Sequence, residues 1–207
     1  FESQIAHIDA IESTLLRKLT YATALDPIAR AAYGDIGNRK RLVRLIDELS
    51  GWNAATRISL PQLALSLASA KRGRGRLARE VRRRLALWSP GDLVATVNSP
   101  TKLELCSFAD PAELKALEEC RYANLFYTYR NNLVHEFREP GYGMDFPNDP
   151  GRAYYTSTIN GPWELVFPVK FFASIYSESL AGLRAFLVQN RINPYSQFEF
   201  GSRWLAK

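Results

Sequence analysis

The sequence predicts a mainly all-α protein. The expected form is one helical bundle over residues 1–207, with a β-hairpin inserted at about 153–167 before the last long helix. Three observations predict it. Apolar residues recur at three- and four-residue steps through much of the chain. Residues that start and stop helices bracket those stretches. One Asn160-Gly161 pair sits between two runs of strand-forming residues.

The elements follow in order. Ile5, Ile8, Ile11, Leu15 and Leu19 predict a helix over 3–22, which Asp26-Pro27 then interrupts. Leu42, Leu45, Ile46 and Leu49 lie on one side of a helix over 38–50. Ser59-Leu60-Pro61 reads as the start of a helix running through LPQLALSLASA, and Gly73 and Gly75 break it. Leu77, Val81, Leu85 and Trp88 mark the next helix, ended by Ser89-Pro90-Gly91. Residues 92–109 are ambiguous between strand and helix. Asp110 at the N-cap, Pro111 at the first position and Glu113 in the first turn open a long helix to about Glu139, stopped by Pro140-Gly141. Residues 141–152 are rich in Gly, Pro, Asn and Asp and read as a loop. The runs AYYTSTI and WELVFP flank Asn160-Gly161 as the hairpin. A final helix covers about 169–190, with Phe172, Ile175, Leu183 and Phe186 as its stripe, before an aromatic-rich tail.

Composition narrows the class of protein. A 46% hydrophobic and 23% charged chain is ordinary for a globular protein. No run of about 18 uncharged apolar residues suggests a membrane span. No signal-peptide pattern is visible, but the chain begins at Phe1 rather than Met, which makes that silence uninformative. Two cysteines, Cys106 and Cys120, and two histidines supply neither a disulfide framework nor a zinc quartet, so no metal and no cofactor is expected. Buried, reduced thiols in a cytoplasmic setting are the default expectation. The net charge of +6 is uneven: residues 71–84, KRGRGRLAREVRRR, hold eight basic residues and one acid, so the remainder is close to neutral. Such a patch suits a polyanion, and equally a solvated helix face after a basic loop.

The run Arg130-Asn131-Asn132-Leu133-Val134-His135 is the most chemically specific feature. Each helical residue turns about 100°. With Phe126 at zero, Tyr122, Tyr129, Leu133 and Phe137 fall within about 60° and form the core stripe. His135 lies about 180° away and Asn131 about 140° away, an i, i+4 pair on one face with Tyr127 one turn before. His135 therefore points away from its helix's own core. Arg130 sits at the margin of the stripe, about 140° from His135, so the two do not naturally converge within one straight helix. Packing two copies across a two-fold axis would place two such motifs in one cleft. Metal-free RNA cleavage needs a base for the 2′-hydroxyl, an acid for the leaving 5′-oxygen and a cation for the phosphorane. Histidine serves either proton role, and the arginine fork suits phosphate oxygens. One chain offers one histidine here; a dimer offers two.

Arg130-Asn131-x-x-x-His135, at the end of a long helix, resembles the signature of the HEPN superfamily (higher eukaryotes and prokaryotes nucleotide-binding domains): Arg, four to six residues, then His, often with a polar residue after the Arg. The resemblance is tight over roughly 15 residues around YRNNLVHEFREPG and is otherwise that of a helical bundle of suitable length. It implies a metal-independent endoribonuclease, dimeric, with both motifs in a composite site, serving as a toxin or as an effector of antiphage defence. Arg130 and His135 would be the catalytic pair and Asn131 the supporting polar residue. An antitoxin or other regulatory partner is implied as well. One departure concerns the tyrosine, two places after the histidine, that antitoxins of the nucleotidyltransferase type modify. Phe137 stands there, which argues against that form of control. The superfamily also contains non-catalytic modules that bind RNA, nucleotides or proteins, and that is the alternative reading.

Lys71, Arg72, Arg74, Arg76, Arg79 and Arg83 are the candidate RNA-gripping residues, with Tyr142 or Tyr154 as candidates for base stacking. An architectural nucleic-acid-binding role for residues 71–84 alone is a further, weaker option. The glycines of RGRG do not form a phosphate loop, because no GKS or GKT follows. His7, among Ile5, Ile8 and Ile11, reads as structural or merely exposed, and Glu118-Glu119 as a solvated helix turn.

Overall fold

The computed structural model describes residues 2–140, 145 and 150–198. Among them are nine α-helices: α1 (Gln4–Asp9), α2 (Thr14–Tyr33), α3 (Asn38–Glu48), α4 (Leu60–Ser69), α5 (Arg76–Leu85), α6 (Lys102–Cys106), α7 (Leu114–Glu119), α8 (Tyr122–Glu136) and α9 (Val169–Asn190). Three short strands, β1 (Val94–Ala95), β2 (Tyr154–Thr156) and β3 (Glu164–Val166), form one antiparallel sheet in the order β1-β2-β3. The fold is the expected mainly helical one.

The helices form two hydrophobic cores. The larger packs α2 against α3, α8 and α9, and its centre is aromatic. Phe126 of α8 lies edge-on to Phe167 and Phe171 and tilted on Phe172, with centroids 5.3–5.9 Å apart. Fully burying such a ring contributes about 1.5–3 kcal/mol. The smaller core joins α4, α5, α6 and α7 through Leu63, Leu77, Val81, Leu105 and Leu117. Tyr122, Tyr155, Ala54 and Val94 fill the space beside the sheet.

Several boundaries depart from the sequence-based expectation. The first predicted helix is two. The chain turns at residues 10–13, and Ser13 Oγ accepts from the Leu16 N–H to start α2. That helix then runs straight through Pro27. The hydrogen bond lost at Pro27 is outweighed by burial of Tyr21, Leu25, Ile28 and Ala29 along one face. The predicted helix over 110–139 is also two. Asp110 and Glu113 do bond each other's backbone N–H, at 2.9 and 3.0 Å, but the helix proper begins at Leu114. It breaks at Arg121, whose extended backbone lets the Cys120 carbonyl accept from Ser59 N–H while Tyr122 N–H donates to Arg57. Tertiary hydrogen bonds to residues 55–59 replace helical ones there.

Phe137, placed in the core stripe by periodicity, is 57% exposed, because it takes a left-handed conformation (φ 53°) that ends α8. Trp88 lies beyond α5 and folds over Tyr155. Asn160-Gly161 does not form a two-residue hairpin turn. Gly161 N–H bonds the Thr158 carbonyl, and residues 157–163 make a longer connection. The ambiguous stretch 92–109 contributes β1 and α6.

The helix α9 has the length and the mean hydropathy, 1.2, of a membrane-crossing segment. Its Phe171, Phe172, Ile175, Tyr176 and Leu183 are buried in the larger core. The predicted tail after Phe198 and most of the 141–152 loop, Tyr142 included, lie outside the described residues.

Candidate functional site

The candidate site lies at the C-terminal end of α8, where α2 and α3 pack against it. Phe126, Tyr129 and Leu133 are buried as their spacing predicts, which fixes the rotation of the helix. Arg130, predicted at the stripe's margin, is 7% exposed. Its Nη2 forms an ion pair with Asp26 of α2, and its Nη1 donates to Asn131 Oδ1 at 3.1 Å. Its Nε is buried and has no hydrogen-bond partner among the described residues. Asn131 is thus the neighbour that orients the guanidinium, and Asp26 is the counter-ion.

Asp26 collects more than one cation. Burial pushes its carboxyl above the ordinary range, and the positive charges of Arg130, Arg41 and His135 act against that shift. Arg130 meets that carboxylate directly, whereas His135, about 140° away by helical angle, acts on it only through its charge, with no ion pair between the two among the described residues. His135 itself is exposed, as its helical angle predicts. Arg41, on α3, is mostly buried, and its Nε likewise lacks a partner among the described residues. Its one ion pair among the described residues, to the exposed Asp35, is 3.6 Å long. Also from α3, Arg39 stacks over the Tyr127 ring at 5.8 Å and donates to Asn124 at 3.1 Å. The face carrying Tyr127, Asn131 and His135 is bordered by arginines of α3.

A buried network holds the end of α8 in place. Lys18, with no exposed surface, reaches Glu139 at 2.8 Å and Asp145 at 2.6 Å. Tyr129 Oη donates to Glu139 at 2.7 Å, and Val169 N–H donates to Asp145 at 3.0 Å. Burial, with Glu139 beside it, keeps the Tyr129 hydroxyl protonated far beyond its ordinary range. A lysine this deep needs both carboxylates to offset its lost hydration. The network ties α2, the segment after α8 and the start of α9 into one frame.

The basic run lies elsewhere. The helix α5 packs on α4 in the smaller core. The start of α8 follows directly on α7 of that core, and His135 is roughly 20 Å further along the helix at 1.5 Å per residue. Two of the six candidate RNA-gripping residues, Arg72 and Arg83, are already engaged. Arg72 pairs with Asp110, and Arg83 and Arg84 with Glu80. Lys71, Arg74, Arg76 and Arg79 make no ion pair among the described residues; Arg74, Arg76 and Arg79 are exposed, as is Lys71. Within one chain the structure does not bring residues 71–84 together with Arg130 and His135. The α3 cations Arg41 and Arg39 and the counter-ion Asp26 went unnoticed in the sequence. The signal for them is faint: Asp26 precedes a proline, and α3 opens with NRKR.

The remaining candidates resolve simply. Tyr154 is 1% exposed, which removes it as a stacking platform. His7 is exposed on α1. Cys120 is buried, and burial pushes its thiol up to about 12, so it stays protonated. Cys106 is only half-buried, against the expectation for both thiols. Glu118 pairs with Lys102 and Arg121 rather than standing free. Among the described residues no group of three or more His, Cys, Asp or Glu side chains is placed to hold a metal ion. No protein-family model, no curated protein and no solved structure matches this chain.

Proposed function

We propose that the protein is an endoribonuclease of the HEPN kind, acting without a metal. The observation that carries this is the buried Arg130, paired with Asp26 and bonded to Asn131 at the end of α8, with the exposed His135 one turn on and near enough for its charge to act on the same carboxylate. An anion paired with the guanidinium, in reach of the imidazole's charge, marks where a scissile phosphate would bind. His135 takes the proton of a ribose 2′-hydroxyl as that oxygen attacks phosphorus. The bond from phosphorus to the 5′-oxygen then breaks, leaving a 2′,3′-cyclic phosphate and a 5′-hydroxyl. Arg130 stabilises the crowded phosphorane, with its fork aligned by Asn131. A second copy across a two-fold axis supplies the histidine that protonates the leaving oxygen. The exposed Phe137, two residues after His135, offers apolar surface for that contact. Residues 71–84, distant within one chain, serve as a separate grip on the RNA backbone. The biological role that fits such an activity is a toxin or antiphage effector, restrained by a regulatory partner.

Purified protein in EDTA is expected to cleave RNA, and His135→Ala to reduce the rate by about 10²–10⁴-fold. Undiminished cleavage in that variant removes the assignment. A second reading is a non-catalytic HEPN-like module that binds RNA, a nucleotide or a protein. The buried, ion-paired state of Arg130 favours it, because a purely structural arginine has the same surroundings. That reading predicts binding without cleavage, unchanged by His135→Ala.

A further inference from the structure

A cavity of about 290 Å³ lies on the flank of α8 away from Arg130. Thr128 and Asn132 of α8, Gln62 of α4, and Trp163, Glu164 and Phe167 from the hairpin contribute to its walls. Its size is at the small end for organic ligands and suits a single heterocycle.

The lining is mixed in a specific way. Trp163 is pinned edge-to-face by Trp88, at 5.1 Å between centroids and 89° between planes, and Trp88 in turn leans on the buried Tyr155. The indole is therefore set in place before any ligand arrives. The side-chain amides of Asn132 and Gln62 make no hydrogen bond among the described residues. Each offers a donor pair and an acceptor, the complement of the mixed edge of a nucleobase.

The position adds the functional link. Asn132 is three residues before His135, so the two are neighbours on the helix surface, with Cβ atoms about 5–6 Å apart. A ligand bonded to Asn132 lies about one helical turn from His135, which does not itself line the cavity. We propose that this cavity receives a purine base of single-stranded RNA, flanking the phosphate presented to His135. The base stacks on Trp163 and is read by the amides of Asn132 and Gln62. A purine covers more of the indole than a pyrimidine does and presents more polar edge to two amides. This rests on the ribonuclease reading above and adds a base preference to it.

The test measures binding separately from cleavage. AMP, GMP, CMP and UMP are titrated into the full chain by calorimetry and by tryptophan fluorescence. At least one purine nucleotide is expected to bind about tenfold or more tightly than either pyrimidine, with quenching of fluorescence. Asn132→Leu should lower purine affinity about tenfold and remove the discrimination; Trp163→Leu should weaken binding and abolish the quench. Far-UV circular dichroism shows whether each variant folds, and Gln62→Leu is the second probe if one does not. His135→Ala should keep the purine preference. Equal affinity for all four nucleotides, no binding at millimolar concentration, or unchanged purine affinity in folded Asn132→Leu and Gln62→Leu overturns the proposal. The two readings fail separately. Cleavage that ignores His135→Ala while purine binding persists removes the ribonuclease reading alone. Cleavage that requires His135 but shows no base preference and ignores Asn132→Leu removes the cavity's role alone.

Discussion

Replacing Asp26 by alanine tests the part of the site that the sequence does not announce. Arg130 is almost wholly enclosed, and its guanidinium has two partners among the described residues, Asp26 and Asn131. Without Asp26 it keeps a single hydrogen bond to an amide and gains an unscreened neighbour in Arg41. Removing one member of a buried ion pair costs about 3–5 kcal/mol. The Asp26 side chain is 30% exposed, so water relieves part of that cost, and about 2–4 kcal/mol is expected for Asp26→Ala. Arg130→Met should cost less, about 1–2 kcal/mol, because Asp26 can turn to solvent and Met fills the space of the arginine stem. The double variant should recover to within about 1 kcal/mol of the parent, since an apolar pair replaces a desolvated ionic one. Urea unfolding of the four proteins, followed by circular dichroism at constant m, gives the cycle. Additivity within about 0.5 kcal/mol refutes the argument that Asp26 and Arg130 act as one unit. The same variants speak to function. If the carboxylate stands where a phosphate binds, Asp26→Asn should tighten RNA binding at low salt, because both guanidinia then face the RNA unopposed.

Three further outcomes are expected. Lys18→Met leaves Glu139 and Asp145 without their shared cation and should cost about 3 kcal/mol; adding Glu139→Gln and Asp145→Asn should restore much of it in the same urea assay. Gly182→Ala places a Cβ 2.3 Å from the Leu49 carbonyl oxygen, so α9 must move off the end of α3, at a cost of about 1–3 kcal/mol read by thermal unfolding. Glu80 is pulled down to about 2 by hydrogen bonds from Arg83 and Arg84. Because its folded value is below the ordinary 4.5, its contribution is complete above that pH and is lost as pH falls toward 2. Glu80→Gln should therefore flatten the acid limb of a stability-against-pH curve in that window, and an unchanged limb would show that the pair contributes nothing.

Much of the fold is legible in the chain because amphipathic spacing carries it. The helices α3, α4, α5 and α9 begin and end close to the capping and apolar signals, and the hairpin lies where Asn160-Gly161 points. The failures share one cause, tertiary hydrogen bonds or burial overriding a local signal. Pro27 does not end α2, because the buried face on either side continues through it. The break at Arg121 has no punctuating residue; it exists because residues 55–59 offer the backbone a better set of partners. Phe137 keeps the core period yet faces solvent, since the left-handed turn that ends α8 swings it out.

For the site, the sequence by itself determined the inventory and one direction. It placed an arginine, an amide and a histidine on one helix, and helical geometry turned His135 away from the core. It also concentrated the positive charge in residues 71–84. Only the tertiary structure decided what those groups meet. Asp26 and Arg41 arrive from α2 and α3, far off in sequence, and no periodicity links them to Arg130. The same packing put the basic run on the smaller core, away from His135, and opened a cavity beside Asn132. The physical reason is general: spacing along a helix fixes angles, which are local, whereas ion pairs, orphaned donors and cavities are properties of which surfaces face each other.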